Sequence, residues 1–510
     1  MGYTIPIIIA IVIYIAVMLV IGYYAWKKNV KHTVDEYFLA DRGLGVILLT
    51  GSMFATWFST FAFIGGPATF YHTGVDWLLF SFFNVTGPIL LWYFGSRIWA
   101  LSNRFGHITP AQMVGDYYQS TSLRILFSII SLFAMLPYVS IQLSGVAKIL
   151  DTSTAGAIPF NIGVIIIVLC VFVYSYFGGA RAVVWTDGVQ GFVFAIFILM
   201  TTFLVVNWAG GWFHGWEKSL STKPEVFNFP VQGAGNYFTL QLLWTFGWVL
   251  TPHMWQRILM AKSPKVLGKT MAIATPISLW VVTFCGAVIG FLAIGLIPQL
   301  PAGTDADSIL ALLYTEYLPF GLVILSLATF AAGMSTVDSQ LLTSSSTFTI
   351  DIYQPFNKQT VTEQKVQSIG KVFIAVFILS VMVLTLSSLG RTLLTTLASL
   401  GVGYALQFLP CLIGMIFWRK ATKSAVFWGL LLGFIFMNLV EFTELGAALP
   451  WSFGGAFWGL LLNLIIFVVL SYITTPVDQK QIDAYHGYLE ETFSRKARKN
   501  YGHEQPVQMK

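Results

Sequence analysis

Charge is what this sequence has least of. Only 10% of its 510 residues are Asp, Glu, Lys or Arg, against roughly 25% in soluble globular domains. With 56% hydrophobic residues and a mean hydropathy of +0.75, that deficit excludes an ordinary soluble fold. Cysteine is scarce too. Cys170, Cys285 and Cys411 lie in apolar runs, and an odd number offers no complete disulfide framework, so they read as small buried hydrophobes. There is no GxxxxGK[ST] loop, no HExxH pair and no Cys/His cluster of metal-ligand spacing. Nothing therefore points to ATP as the energy source, to a resident cofactor or to an enzyme. The net charge of +6 comes without a basic, aromatic-studded domain, so nucleic acid is not an expected partner. No obligate protein partner is evident either.

What is present is a succession of apolar runs, each about 20 residues long and able to cross a roughly 30 Å hydrocarbon core. Run lengths predict an all-α polytopic membrane protein with about thirteen spans, near 5–26, 46–70, 75–98, 122–147, 159–178, 183–208, 236–256, 268–297, 317–347, 366–389, 391–418, 424–442 and 452–473. The N-terminal run lacks the basic start and cleavage site of a signal peptide and is read as the first helix. With the N-terminus outside and the C-terminus inside, 24 of the 28 Lys and Arg fall on the cytoplasmic side; Lys148, Lys218, Lys223 and Arg391 do not. The expected organisation is one transporter domain over 1–474, with core repeats at about 46–208 and 236–418, and a short amphipathic or partly disordered tail over 475–510.

Two predicted spans carry their own helix breakers. The second contains FATWFSTFAFIGGP and the seventh contains Gly247 and Pro252. A freed backbone amide in lipid costs several kcal/mol unless it finds a new partner, so such breaks line cavities or bind ions. The pair lies five spans apart, as the broken first helices of two inverted five-helix repeats (spans 2–6 and 7–11) would. Gly and Pro are also commoner in membrane helices generally.

The ninth span, LATFAAGMSTVDSQLLTSSSTFTIDIY, is crowded with small and hydroxyl residues. Its pattern suits close helix packing or a ring of uncharged oxygens for a hard cation. Ala332, Ser335 and Thr336 share one helix face. Two acids lie within apolar runs, Asp187 in GGARAVVWTDGVQG and Asp338 in the ninth span. An intramembrane carboxylate is a functional candidate. Asp187 suits cation handling or helix capping, and Asp338 suits function or pairing with a neighbouring helix. Arg181 is expected to anchor the topology.

DEYFLADRGLG (35–45), FIGGPATFYHTGVDW (63–77), GGARAVVWTDGVQG (178–191), TPHMWQRILMAKS (251–263) and GMSTVDSQLLTSSS (333–346) together resemble the sodium/solute symporter family, in family order across nearly the whole chain. The resemblance implies sodium as coupling ion, bound between the second and ninth helices by the carbonyls of Ala55, Phe58 and Ala332 and the hydroxyls of Ser335 and Thr336. It implicates Asp187 in sodium coupling or release, and some members bind a second sodium near it; Asp338, as an intramembrane acid, is a further candidate for that coupling role. Trp57 stands where proline carriers have an aspartate. Expected solute-wall residues are Trp57, Ser59, Thr60, Gln142, Trp244, Trp248 and Pro252. Trp244 and Trp248 suit interfacial anchoring too, but their place in a Pro-broken span favours a wall.

The expected function is a sodium-coupled symporter that imports a small carboxylate, pantothenate- or monocarboxylate-like, across the cell membrane. Alternatives are a sodium–proline or other amino-acid symporter, a proton-coupled carrier of the same fold and, from another class, an ion channel or membrane sensor. A channel would show a filter or charged ring, and a sensor would need a soluble domain that a tail of 36 residues (475–510) has no room for.

Overall fold

A computed structural model describes residues 3–27, 33–57, 59–229, 233–357 and 362–494. The architecture is helical throughout these residues, apart from one isolated bridge between Leu44 and Ala261. In chain order the principal helices are α1 (Thr4–Lys27), α2 (Val46–Trp57), α3 (Phe61–Leu78), α4 (Ser81–Phe105), α5 (Thr121–Ser153), α6 (Phe160–Phe172) and α7 (Gly179–Trp208). They continue as α8 (Ala234–Leu242), α9 (Pro252–Met260), α10 (Pro264–Leu296), α11 (Gly321–Phe356), α12 (Glu363–Leu386), α13 (Leu394–Ile416), α14 (Lys423–Phe442) and α15 (Gly455–Ile473). Nine described helices are long and apolar enough to cross a membrane, ten when α2 and α3 count as one bent span. The other three predicted spans are also helical: α4, the short α6, and the interrupted α8–α9. This is a multi-pass membrane protein.

Each predicted break is present. Helix α2 stops at Trp57 and α3 leaves at 52° to it. Between α8 and α9 the helix widens over Leu243–Gly247 and then tightens over Trp248–Leu250. It then extends at Thr251 (φ −63°, ψ 136°) before Pro252 opens α9. Proline suits that first helical position because no amide is needed there. A third interruption lies between the fifth and sixth predicted spans, where Gly179 takes φ 62°. Only glycine adopts that conformation without strain.

Small residues set how closely the central helices approach. A Cβ on Gly51 of α2 would stand 3.2 Å from the Gly188 Cα of α7, and Gly191 lies against Ala55. Helix α7 packs on both α2 and α11, and Asp187 lies against Ser52 of α2, before the break. At one end of the bundle a cavity of about 360 Å³ opens among Thr69, Asp76, Tyr237, Thr395, Glu441 and Gly455. Near it, Lys148 Nζ donates to Asp305 and Asp307, each at 2.6 Å, and to the Thr392 carbonyl at 3.0 Å.

The opposite end carries ion pairs between helices. Arg124 pairs with buried Asp351 at 2.8 Å, and Thr109 donates to the same oxygen. Arg181, expected to be a topology anchor, reaches Glu36 at 3.5 Å. The tail docks at this end: Tyr485 stacks on Phe105 with centroids 4.4 Å apart.

Candidate functional site

The helical part of α2 ends at Trp57, so the carbonyls of its last turn, Ala55 among them, lie beyond the last regular intrahelical amide. Helix α11 meets that turn. The Ser335 hydroxyl donates across the gap to the Ala55 carbonyl at 3.2 Å and within α11 to the Ala332 carbonyl at 3.1 Å. Thr336 Oγ1 stands 3.5 Å from the Ala332 carbonyl. Back-bonds within a helix are ordinary for Ser and Thr; the reach across to Ala55 is not. All four residues are fully buried. A hard cation of the size class that holds oxygens at about 2.3–2.6 Å keeps neighbouring ligands roughly 3.3–3.7 Å apart. The spacing of these oxygens is close to that, so small displacements would open the cluster around an ion. Phe58, the remaining sequence-expected carbonyl, lies outside the described residues.

Beside this cluster sits a residue that was not among the expected site residues. Arg257 of α9, 3% exposed, lies with Nη2 3.3 Å from Asp187 Oδ2. Its Nε faces the Ser52 carbonyl and hydroxyl of α2 at 3.3 and 3.2 Å, and Nη2 also donates to the Ser339 hydroxyl of α11. Ser52 Oγ donates to Asp187 at 2.7 Å, and Ser339 donates to the Ser335 carbonyl at 2.8 Å. One guanidinium thus joins α2, α7 and α11, one turn from the hydroxyl cluster. Asp187 is an ion-paired carboxylate rather than a helix cap. Asp338, 1% exposed, and Asp187 are both within electrostatic reach of the Tyr14 hydroxyl of α1, which accepts from Gln190 Nε2 at 2.6 Å.

The expected wall residues divide into two groups. Trp57 packs on Trp248 with centroids 4.6 Å apart, Phe61 stacks on Trp244 at 4.5 Å, and Phe83 touches both Trp244 and Trp248. Both Trp244 and Trp248 are fully buried, so neither is an interfacial anchor. Thr60 and Gln142 instead satisfy each other: the Thr60 amide and hydroxyl donate to Gln142 Oε1 at 3.0 and 2.7 Å. That pair holds the broken segment onto α5. Ser59 faces the Tyr138 hydroxyl, and Pro252 starts α9 with His253 beside it.

Arg257 was legible only in part. It lies one residue past the predicted end of the seventh span, where a basic residue reads as a loop anchor. The signal that could have found it is the lone acid in the sixth span, which needs a cation once buried. Among the described residues no group of three or more His, Cys, Asp or Glu could hold a metal ion.

A family model described as the sodium:solute symporter family matches residues 37–433. The chain belongs to that family. Its members and relatives are transporters, not enzymes. The sodium/pantothenate symporter of Escherichia coli is 31% identical over 357 residues, 68% of this chain and 72% of that protein. A sodium/proline symporter of Staphylococcus aureus is 24% identical over 492 residues, 92% and 93% of the two chains. Among solved structures, a substrate-bound, outward-open Na+-coupled sialic acid symporter superposes with a TM-score of 0.76 at 20% identity, covering 93% of this chain and 99% of the other. A nucleobase–cation symporter in a closed conformation gives 0.57 at 14% identity, with 89% and 98% covered. The sodium:solute symporter therefore shares the fold of these transporters, and the family makes sodium the coupling ion and an organic solute the cargo.

Proposed function

We propose that this symporter uses inward sodium flow to import a small organic acid across the cell membrane, with pantothenate-like and other monocarboxylates as the favoured class. The observation that carries this reading is the Ser335 hydroxyl lying 3.2 Å from the Ala55 carbonyl across two helices. A sodium ion taken up by Ala55, Phe58, Ala332, Ser335 and Thr336 would hold α2 against α11 and favour the state that accepts solute from outside. The solute would sit beside it, between Trp57, Ser59, Trp244, Trp248 and Pro252. Coupling then needs only that sodium and solute bind one conformation better than the other.

Arg257 gives Asp187 a specific part in this cycle. While α2 and α11 are together, the guanidinium is shared among Ser52, Asp187 and Ser339. When they part, at least one of those partners leaves. Asp187 then becomes available to draw sodium toward the cytoplasm, with Asp338 nearby. With the N-terminus outside and the C-terminus inside, as expected from the Lys and Arg distribution, the 360 Å³ cavity would face outward and the Arg124–Asp351 pair inward.

A sodium–proline reading has its own support in Trp244 and the Pro252–His253 pair, and in the Staphylococcus aureus relative matched over 92% of the chain. A thermal-shift panel of organic acids and amino acids, with and without sodium, separates the two. Stabilisation by pantothenate or another monocarboxylate only when sodium is present supports the carboxylate reading. Sodium-dependent stabilisation by proline alone replaces it.

A further inference from the structure

We propose that a second cavity, between the docked tail and the start of α5, binds a small organic acid that also carries a hydroxyl or amine, and that its ligand holds the tail in place. This goes beyond the symport reading and does not depend on it.

The cavity measures about 440 Å³ and opens among Asp116, Ser120, Thr121 and Arg124 on one side and Gln481 and Tyr485 of the tail on the other. That volume lies in the range of small-molecule sites. The tail is held against its opposite wall at two points. Gln481 Nε2 donates to the Asp116 carbonyl at 2.8 Å, and the Tyr485 ring stacks on Phe105.

One cation and one anion line this space, and each has its ion-pair partner elsewhere. Arg124 is spent along one edge: Nε donates to Asp351 and Nη2 to the Ile350 carbonyl, each at 2.8 Å, which leaves Nη1 without a partner among the described residues. Asp116 meets His107 Nε2 through Oδ2 at 2.9 Å, and its Oδ1 has no partner among the described residues. A Cβ on Gly115 would stand 2.6 Å from Arg124 Cβ and 3.1 Å from Cδ. The arginine stem therefore lies along the residue before Asp116, and the two charges share a wall.

A guanidinium edge with open N–H groups recognises a carboxylate. A carboxylate oxygen accepts from a hydroxyl or an ammonium. A molecule carrying both groups satisfies Nη1 and Oδ1 together, whereas a bare carboxylate meets Asp116 only as a like charge. A ligand seated here also touches Gln481 and Tyr485, contacts that an undocked tail cannot offer, so binding favours the docked tail by mass action. Because Arg124 holds Asp351 of α11, the same guanidinium connects this ligand to the helix that carries Ser335 and Thr336.

The test is hydrogen exchange on full-length protein in detergent at fixed pH, without sodium, with pantothenate, L-proline or acetate added. Pantothenate or L-proline should slow exchange over 479–493 at least threefold at saturation, and acetate should need at least ten times the concentration. Thr121→Glu places a carboxylate at the exposed first position of α5, where an acid suits the helix end. It should raise the half-saturating concentration at least tenfold with Tm unchanged. No slowing by any of the three in the wild-type protein overturns the site, whatever Thr121→Glu does to folding. Acetate acting as well as the others overturns the ligand class, and an unshifted half-saturation in Thr121→Glu overturns the placement in this cavity. The symport reading is tested separately, by sodium-dependent uptake.

Discussion

Arg257 Nη2 lies 3.3 Å from Asp187 Oδ2, both side chains at 3% exposure or less. The ion pair sits within one turn of the hydroxyl cluster on α11, because Ser339 contacts both the guanidinium and the Ser335 carbonyl. A buried pair contributes little net stability against an apolar replacement, but breaking it leaves an uncompensated charge.

Arg257→Met should therefore cost about 3–5 kcal/mol of stability, read as a fall in Tm in detergent with uptake abolished. Asp187→Asn combined with Arg257→Met should recover part of that Tm, since no charge is then left alone. Equal Tm values for the single and double variants would show that the two side chains do not act as a pair.

The second break depends on a close approach. A Cβ on Gly247 would lie 2.6 Å from the Val402 carbonyl and 2.9 Å from Val402 Cγ1. Gly247→Ala should push the broken segment off α13, costing about 1–3 kcal/mol as overpacking does. Gly188→Ala, with open space around its Cβ, is the control and should leave Tm unchanged. Equal Tm shifts for the two variants would remove the packing argument.

The docked tail should respond to acid. His486 Nε2 meets the Tyr117 hydroxyl at 2.9 Å. Burial and then the Arg419 guanidinium push the His486 pKa down from 6.5 to about 4, with Glu490 opposing. His107, Asp116 and Tyr485 complete the same cluster. Between those two pH values an undocked tail binds more protons than a docked one, so docking is intact above the ordinary pKa and weakens as pH falls toward the lowered one. Hydrogen exchange over 479–493, corrected for intrinsic rates, should rise relative to the core as the medium is acidified. His486→Phe should remove that dependence, and an equal rise in the variant would place the titration elsewhere.

What the sequence revealed follows from how loudly each feature speaks in lipid. The break at Thr251 was legible because Gly247 and Pro252 interrupt a run that otherwise needs every backbone bond; the break at Trp57 was legible only as lying in the same segment as Gly65, Gly66 and Pro67, which α3 runs straight through. Ala332, Ser335 and Thr336 were legible as one face by helical spacing alone, and the resemblance added Ala55 as their partner across the gap. Partnerships between distant side chains were not legible. Nothing local to Gln142 says that its amide oxygen is taken by Thr60, and nothing local to Arg257 says that it turns inward. The docked turns of the tail, Gln479–Ile482 and Tyr488–Phe493, likewise depend on Phe105 and Tyr117, which are hundreds of residues away.

The most direct measurement is solute uptake into proteoliposomes as a function of sodium at fixed pH, for the wild-type protein, Ser335→Ala and Thr336→Ala. The account predicts uptake that requires sodium. Each variant should raise the half-saturating sodium concentration about tenfold, equivalent to about 1.4 kcal/mol, with the order of solute preference unchanged. Uptake that persists without sodium, or the same sodium requirement in all three proteins, would contradict a sodium site between Ala55 and Ser335.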